Sequence, residues 1–394
     1  MSNKWVHPNT ITGDAATNGR YIRRNYINDE FWREVKKGNH ILFVAPRRVG
    51  KTSIMKDLAG NCPEGFVCIY EDIEGVKTRD EFYKRLFELI LHCIHRSKLK
   101  EAKAFIDRCF KKYSIKEISK SGIKFDSKQI DYEAEIRNLI PDLKNTRVHA
   151  VIFLDEFAEV IHKLKKNGNN QDAVDILHTL REIRSDDDFK HFTVVYAGSI
   201  GLEFVIKSID RPKLINDLHP IKLNALTDDE TSQLVRQLTK DATIILSQEV
   251  VSYLKKKMEY LLPYYLQLMI EAIDEIAFKR NDPTVTVETI DEAFLSILKE
   301  RKNFDDWLER LKDYQADHFL FINAILKHTA HNGSTSVQVI YDMAQKQDKT
   351  EDYMDFVEEL IHDGYLVEFE THVYRFISPL LQQFWLQKYP VYAI

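Results

Sequence analysis

His40-Ile41-Leu42-Phe43-Val44-Ala45-Pro46-Arg47-Arg48-Val49-Gly50-Lys51-Thr52-Ser53 is an apolar run that breaks into a turn and ends in Gly-Lys-Thr. It predicts a buried strand, a phosphate-wrapping loop and the first turn of a helix. Holding a polyphosphate takes several inward N–H groups, a lysine that reaches the outer phosphates and a hydroxyl for Mg²⁺. Pro46, Arg47, Arg48, Val49, Gly50, Lys51, Thr52 and Ser53 supply that set at the required spacing. Ala45 stands where G-x-x-x-x-G-K-[ST] has its first glycine, and its side chain is small enough for the loop to survive. A chance Gly-Lys-Thr in a surface turn is the rival reading. Against it, Ile54, Met55 and Leu58 recur at helical spacing until Gly60.

Further along, Phe66–Tyr70, Val148–Leu154, Phe192–Ala197 and His219–Leu223 are apolar runs of strand length separated by helical patterns. Such alternation implies a parallel sheet covered on both faces. The run to Leu154 delivers Asp155 and Glu156 at its carboxyl end, where ligands of open α/β sheets sit. Asp155 is the expected Mg²⁺ holder, through water or Thr52, and Glu156 the residue that polarises an attacking water. Ser199 follows the next strand, expected between the other two, and is a candidate sensor of a γ-phosphate. Arg181 and Arg184 could reach a neighbouring subunit's nucleotide or serve as surface salt-bridge partners.

Upstream, Tyr21–Arg24 is a candidate segment over the base of a nucleotide, with Tyr21 the contact, or else a packing arm. A charged linker is expected at Lys163–Asn170. From the capping box Thr227-Asp228-Asp229-Glu230 to about Lys302 the pattern is helical, and Pro263 within it either opens a helix or presses on adenine. The tail reads helix, helix, helix, hairpin, the order of a winged helix. Its third helix carries six acidic residues between Glu351 and Asp363 and no lysine or arginine, so DNA phosphates would repel it.

A chain of 394 residues with a net charge of −5 has no global attraction to nucleic acid or an anionic membrane. The stretch from Arg96 to Lys128 is the local exception, with eleven Lys or Arg against four Asp or Glu and with Phe105, Phe110, Tyr113 and Phe125 interleaved. It is expected as a solvated helical insertion or, alternatively, a nucleic-acid contact. Cys62, Cys68, Cys93 and Cys109 form no C-x-x-C pair and are expected as reduced thiols. His92, Cys93 and His95 lie within a helical pattern and are read as side chains without a metal. No run approaches the roughly 18 apolar residues of a membrane span, and a cytoplasmic protein is expected.

Ala-Pro-Arg-Arg-Val-Gly-Lys-Thr-Ser, Phe-Leu-Asp-Glu-Phe, Tyr-Ala-Gly-Ser, a helical segment with Leu-Pro-Tyr-Tyr-Leu and the tail together resemble prokaryotic and archaeal ATPases of the STAND branch of the AAA+ superfamily. The resemblance spans nearly the whole chain. It implies an α/β P-loop core of AAA+ type at 39–225 behind an arm at 1–38, a helical lid at 226–302 and a winged helix at 303–394. It implies ATP and ADP as ligands with Mg²⁺, Lys51 and Thr52 on phosphate and metal, Asp155 and Glu156 on metal and water, Ser199 as sensor and Pro263 on adenine. Members switch between closed and open states, often with oligomerisation. With no effector domain attached, the expected partner is a separate protein. The rivals are a DNA-associated ATPase of origin-recognition type, working through 96–128, and a small-molecule kinase, which Glu156 directly after Asp155 argues against.

Overall fold

The five apolar runs pair side by side, and the three inner ones, Ile41–Val44, His149–Asp155 and Phe192–Tyr196, are buried on nearly every position, because a strand apolar on both faces rests in the middle of a layered structure. The computed structural model describes residues 4–97, 99–119, 122–125, 130–198, 201–207, 209, 211–300, 304–314 and 318–391. They divide into two units. The first comprises residues 23–44 and 54–223, the second residues 1–22, 45–53 and 224–394.

In chain order the first unit is built from α1 (Asn25–Lys36), β1 (Ile41–Val44), α2 (Lys51–Gly60), β2 (Phe66–Asp72), α3 (Arg79–Arg96), α4 (Lys100–Lys112), β3 (Ile115–Ser119), β4 (Gly122–Phe125), α5 (Tyr132–Leu139), α6 (Leu143–Thr146), β5 (His149–Asp155), α7 (Phe157–Lys166), α8 (Asn170–Ser185), β6 (Phe192–Tyr196), α9 (Leu202–Lys207) and β7 (His219–Lys222). Residues 51–53 of α2 belong to the second unit. The sheet runs β2-β5-β6-β1-β7, with every neighbouring pair parallel. β6 therefore lies between the strand that enters the loop and the strand that ends in Asp155, as the sequence predicts. On one face Phe31 of α1 stacks on Phe43 of β1 and Phe153 of β5, with centroids 6.0 and 5.5 Å away. α3 lies against β2, β5 and α5. Its capping residue Thr78 accepts from Glu81 N–H at 3.2 Å.

Several expectations need correction. The stretch 96–128 is a helix, α4, followed by the antiparallel hairpin β3–β4 rather than helix alone. Phe105 and Tyr113 are turned into the core, because α4 is amphipathic and they fall on its packed side. They offer no surface for stacking bases. Residues 98, 120–121 and 126–128 of that stretch lie outside the described residues. α7 continues to Lys166, so the linker shrinks to residues 167–169. Cys62 and Cys68 form a disulfide, with Cα atoms 6.0 Å apart, where reduced thiols were expected. Cys93 and Cys109 are free and buried, and burial pushes each thiol up to about 12.

The second unit holds α10 (Asp228–Thr239), α11 (Gln248–Met258), α12 (Pro263–Arg280), α13 (Val287–Lys299), α14 (Asp305–Tyr314), α15 (Phe319–Asn332), β8 (Thr335–Ser336), α16 (Val337–Gln345), α17 (Tyr353–His362), β9 (Leu366–Glu370), β10 (Val373–Phe376) and α18 (Pro379–Lys388). Thr227 and Glu230 form the expected capping box on α10. The N-terminal arm lies along α10 and α12. Asn9 N–H donates to Leu238 O and Ile11 N–H to Gln267 Oε1, both at 2.8 Å. The tail sheet runs β8-β10-β9. Two helices were not foreseen, α14 and α18. The second carries Leu380, Leu381, Phe384 and Trp385 into the core. Among the described residues no helix is long and apolar enough to cross a membrane.

His40 enters β1 with its Nδ1 accepting from Val194 N–H at 2.9 Å. Burial first, then Arg184, pushes its pKa from 6.5 down to about 3. The folded chain thus keeps the ring neutral while the unfolded chain protonates it, so stability falls as pH drops from 6.5 toward 3. Between pH 7.5 and pH 5 this group should remove about 2 kcal/mol. Thermal unfolding across that range should show it, and His40→Asn should flatten the dependence.

Candidate nucleotide site

Asp155 closes β5 after five residues, Ala150 to Leu154, that are at most 1% exposed. The residue is 3% exposed. Tyr70 Oη donates to Oδ2 at 3.0 Å and Glu156 N–H to Oδ1 at 3.1 Å. Burial, then the Asp155 charge, keeps the Tyr70 phenol above its usual range, so it remains a donor. Tyr70 was not singled out from the sequence. Strand alternation gave no sign that the neighbouring strand would aim a hydroxyl at the acid. Glu156 is the turning point from β5 into α7 and adopts φ +58° and ψ +28°. A non-glycine residue in the left-handed region stores strain, and such strain gathers at functional positions.

The loop belongs to the second unit. Gly50 has φ +96°, a conformation that a side chain would oppose, and Arg48 has φ +67°. Ala45 is buried and is not among the residues with positive φ, so replacing the usual glycine strains nothing. Lys51 is 9% exposed, and its Nζ donates to Ala45 O at 2.7 Å and Pro46 O at 3.1 Å. Thr52 and Ser53 follow in the first turn of α2, and Val49 and Ser53 are buried. Arg47 and Arg48 both reach Asp306, at 3.0 and 3.2 Å. The sequence held no sign of this partner, which stands 259 and 258 positions downstream.

Pro263 occupies the first turn of α12, and the adjoining Tyr264 ring lies 4.0 Å from the Arg48 guanidinium. Tyr21 O accepts from Gln237 Nε2 of α10 at 3.0 Å, which ties the arm to that helix. Ser199 lies outside the described residues. Arg184 is buried, its side chain 2% exposed, and grips Asp217 with two bonds of 2.6 and 3.0 Å and Leu214 O with one of 2.6 Å. It braces its own chain and is not presented to a neighbour. Arg181 donates to Lys213 O. Among the described residues no group of three or more His, Cys, Asp or Glu is gathered as a metal site.

No protein-family model matches the chain, and no curated protein does. Solved structures do. The Walker-type ATPase PABY2304 of Pyrococcus abyssi is similar with a TM-score of 0.63 at 15% identity, covering 93% of this chain and 96% of that one. The ORC2 protein of Aeropyrum pernix, in ADPNP–ADP complexes, has a TM-score of 0.49 at 10% identity over 99% and 98%. The ORC1 protein of Aeropyrum pernix in complex with DNA has 0.43 at 15% over 94% and 93%. With the strand order above, the fold is that of a P-loop ATPase of AAA+ type, an α/β sheet unit followed by helical segments.

Glu156→Gly and Glu156→Ala remove the same carboxylate, but only glycine accepts the left-handed backbone freely. The glycine variant should be more stable than the alanine variant by about 1 kcal/mol. Urea unfolding of the pair measures the difference.

Proposed function

We propose that the chain binds ATP and hydrolyses it to ADP and phosphate with Mg²⁺, and that its nucleotide state governs a second macromolecule. The sheet order carries this reading. The strand ending in Asp155 is separated by one strand from the strand that runs directly into the Lys51-Thr52 loop. Loop N–H groups would cradle the phosphates, and Lys51 would exchange its two carbonyl partners for outer phosphate oxygens. The Thr52 hydroxyl and the Asp155 carboxylate are hard oxygen donors of the kind Mg²⁺ prefers. When bound, that ion would neutralise charge on the β- and γ-oxygens. Glu156 would orient the attacking water and draw on its proton. On sequence grounds Ser199 senses the γ-phosphate, while Tyr21 and Pro263 flank the base.

In this reading residues 1–38 are an arm, 39–225 the ATPase core, 226–302 a lid and 303–394 a winged helix. The order α15, β8, α16, α17, β9, β10 supports the last of these. Two partners are compatible with such a machine. A STAND-like switch would act on a separate protein, often as an oligomer, and the acidic α17 supports a packing role for the tail. The other reading, a DNA-associated ATPase of origin-recognition type, is favoured by α4. There Lys100, Lys103, Arg108 and Lys111 are all exposed on one helix. With Phe105 and Tyr113 buried, that contact would be mainly electrostatic.

Lys51→Ala should abolish nucleotide binding. Glu156→Gln should retain ATP while turnover falls at least a hundredfold, measured by phosphate release. Replacing Lys100, Lys103, Arg108 and Lys111 with glutamine decides the partner. Duplex affinity that falls together with its salt slope supports DNA, and unchanged or absent DNA binding supports the protein partner.

A further inference from the structure

The loop's two arginines are engaged by a carboxylate from far along the chain. Arg47 Nη2 and Arg48 Nη2 reach one and the same oxygen, Asp306 Oδ2, at 3.0 and 3.2 Å. The Arg47 guanidinium lies 4.7 Å over the Trp307 ring, and that of Arg48 lies 4.0 Å over Tyr264. Trp307 is fully buried, and its carbonyl accepts from Tyr365 Oη at 2.7 Å. Gly364 also lies against the loop. A Cβ there would stand 3.1 Å from both Arg47 N and Pro46 Cβ. The loop is therefore seated against α14 and the turn before β9.

In this contact two guanidiniums share one carboxylate oxygen. Burial first, then the Arg310 charge, presses Arg47 below the usual arginine range. Arg47 Nη1, Arg48 Nε and Asp306 Oδ1 are buried and have no hydrogen-bond partner among the described residues. Each orphaned group weakens the contact. A polyphosphate offers more acceptor oxygens and more charge than one aspartate, and guanidinium pairs with phosphate in bidentate fashion. Arginines held imperfectly by a carboxylate are thus poised to exchange it for a better anion.

We infer that Asp306 is an internal stand-in for nucleotide phosphate: it occupies Arg47 and Arg48, so that nucleotide and the Asp306–Trp307 segment compete for the loop, and nucleotide binding releases α14. This rests on the reading of the loop as a nucleotide site. The competition makes Asp306 a determinant of nucleotide affinity, although it lies in the C-terminal part of the chain.

The test uses the full chain, titrated with fluorescently labelled ADP and ATP, together with hydrogen exchange over α14. Asp306→Asn keeps the shape and removes the charge. It should tighten nucleotide binding about tenfold, within the usual range of such couplings. In the wild type α14 should exchange faster once nucleotide is added, and in Asp306→Asn it should exchange fast without it. Gly364→Ala, which pushes the same contact apart without touching charge, should also tighten binding and replaces the first variant should that one not fold. Equal nucleotide affinity and equal α14 exchange in wild type and variant overturn the competition while leaving the nucleotide site standing. Binding by the variant alone supports it most strongly. Binding by neither overturns both the competition and the nucleotide reading.

Discussion

The pairing of β1 with β6 on one side and β7 on the other is the constraint from which the rest follows. A four-residue strand flanked on both sides has its backbone groups satisfied within the sheet, and its side chains must be apolar on both faces. Polar chemistry is then confined to the places where strands stop. β5 shows the rule plainly, with five side chains sealed from water and then two carboxylates in succession. The backbone must turn at that point, and Glu156 makes the turn in the left-handed region instead of a glycine. That strain marks Glu156 as a candidate functional position, and water activation is the role proposed for its carboxylate.

Elements with a strong period were legible because burial imposes that period. All five sheet strands come from runs such as Ile41–Val44 and His149–Asp155, and the break at Gly-Lys-Thr could hardly be read otherwise. The misses have physical causes too. α14 begins Asp-Asp-Trp-Leu-Glu-Arg and looks like a solvated segment, although Trp307 and Leu308 are buried. α18 was hidden behind the hairpin, yet Ser378-Pro379 is a helix-start signal and could have exposed it. The aromatics of α4 seemed available to bases because composition ignores helical phase, and phase puts Phe105 with Ile106 and Cys109 inside. The Cys62–Cys68 bond depends on how the end of α2 meets β2, a distance that a spacing of six does not fix.

Site residues divide in the same way. Gly50, Lys51 and Thr52 are adjacent in sequence, so a candidate loop could be proposed from neighbouring letters. Tyr70 and Asp306 act through long-range placement, 85 and about 260 positions from their partners, and no local pattern marks them. Arg184 follows the second of its two readings, an ion-pair partner, with its guanidinium spent on Asp217 and the Leu214 carbonyl.

The two aspartates show how surroundings assign roles to identical side chains. Asp155 is oriented at the carboxyl end of its strand by a phenol and an amide, Tyr70 Oη and Glu156 N–H. Asp306 is held by two guanidiniums, so its charge is already consumed and it can act only by being displaced. In the proposed competition displacement is reciprocal: whatever loosens Asp306 from the loop would strengthen phosphate binding there, and phosphate would loosen Asp306 by the same factor. A signal that reached α14 would then have a route to the loop that needs no change in the sheet.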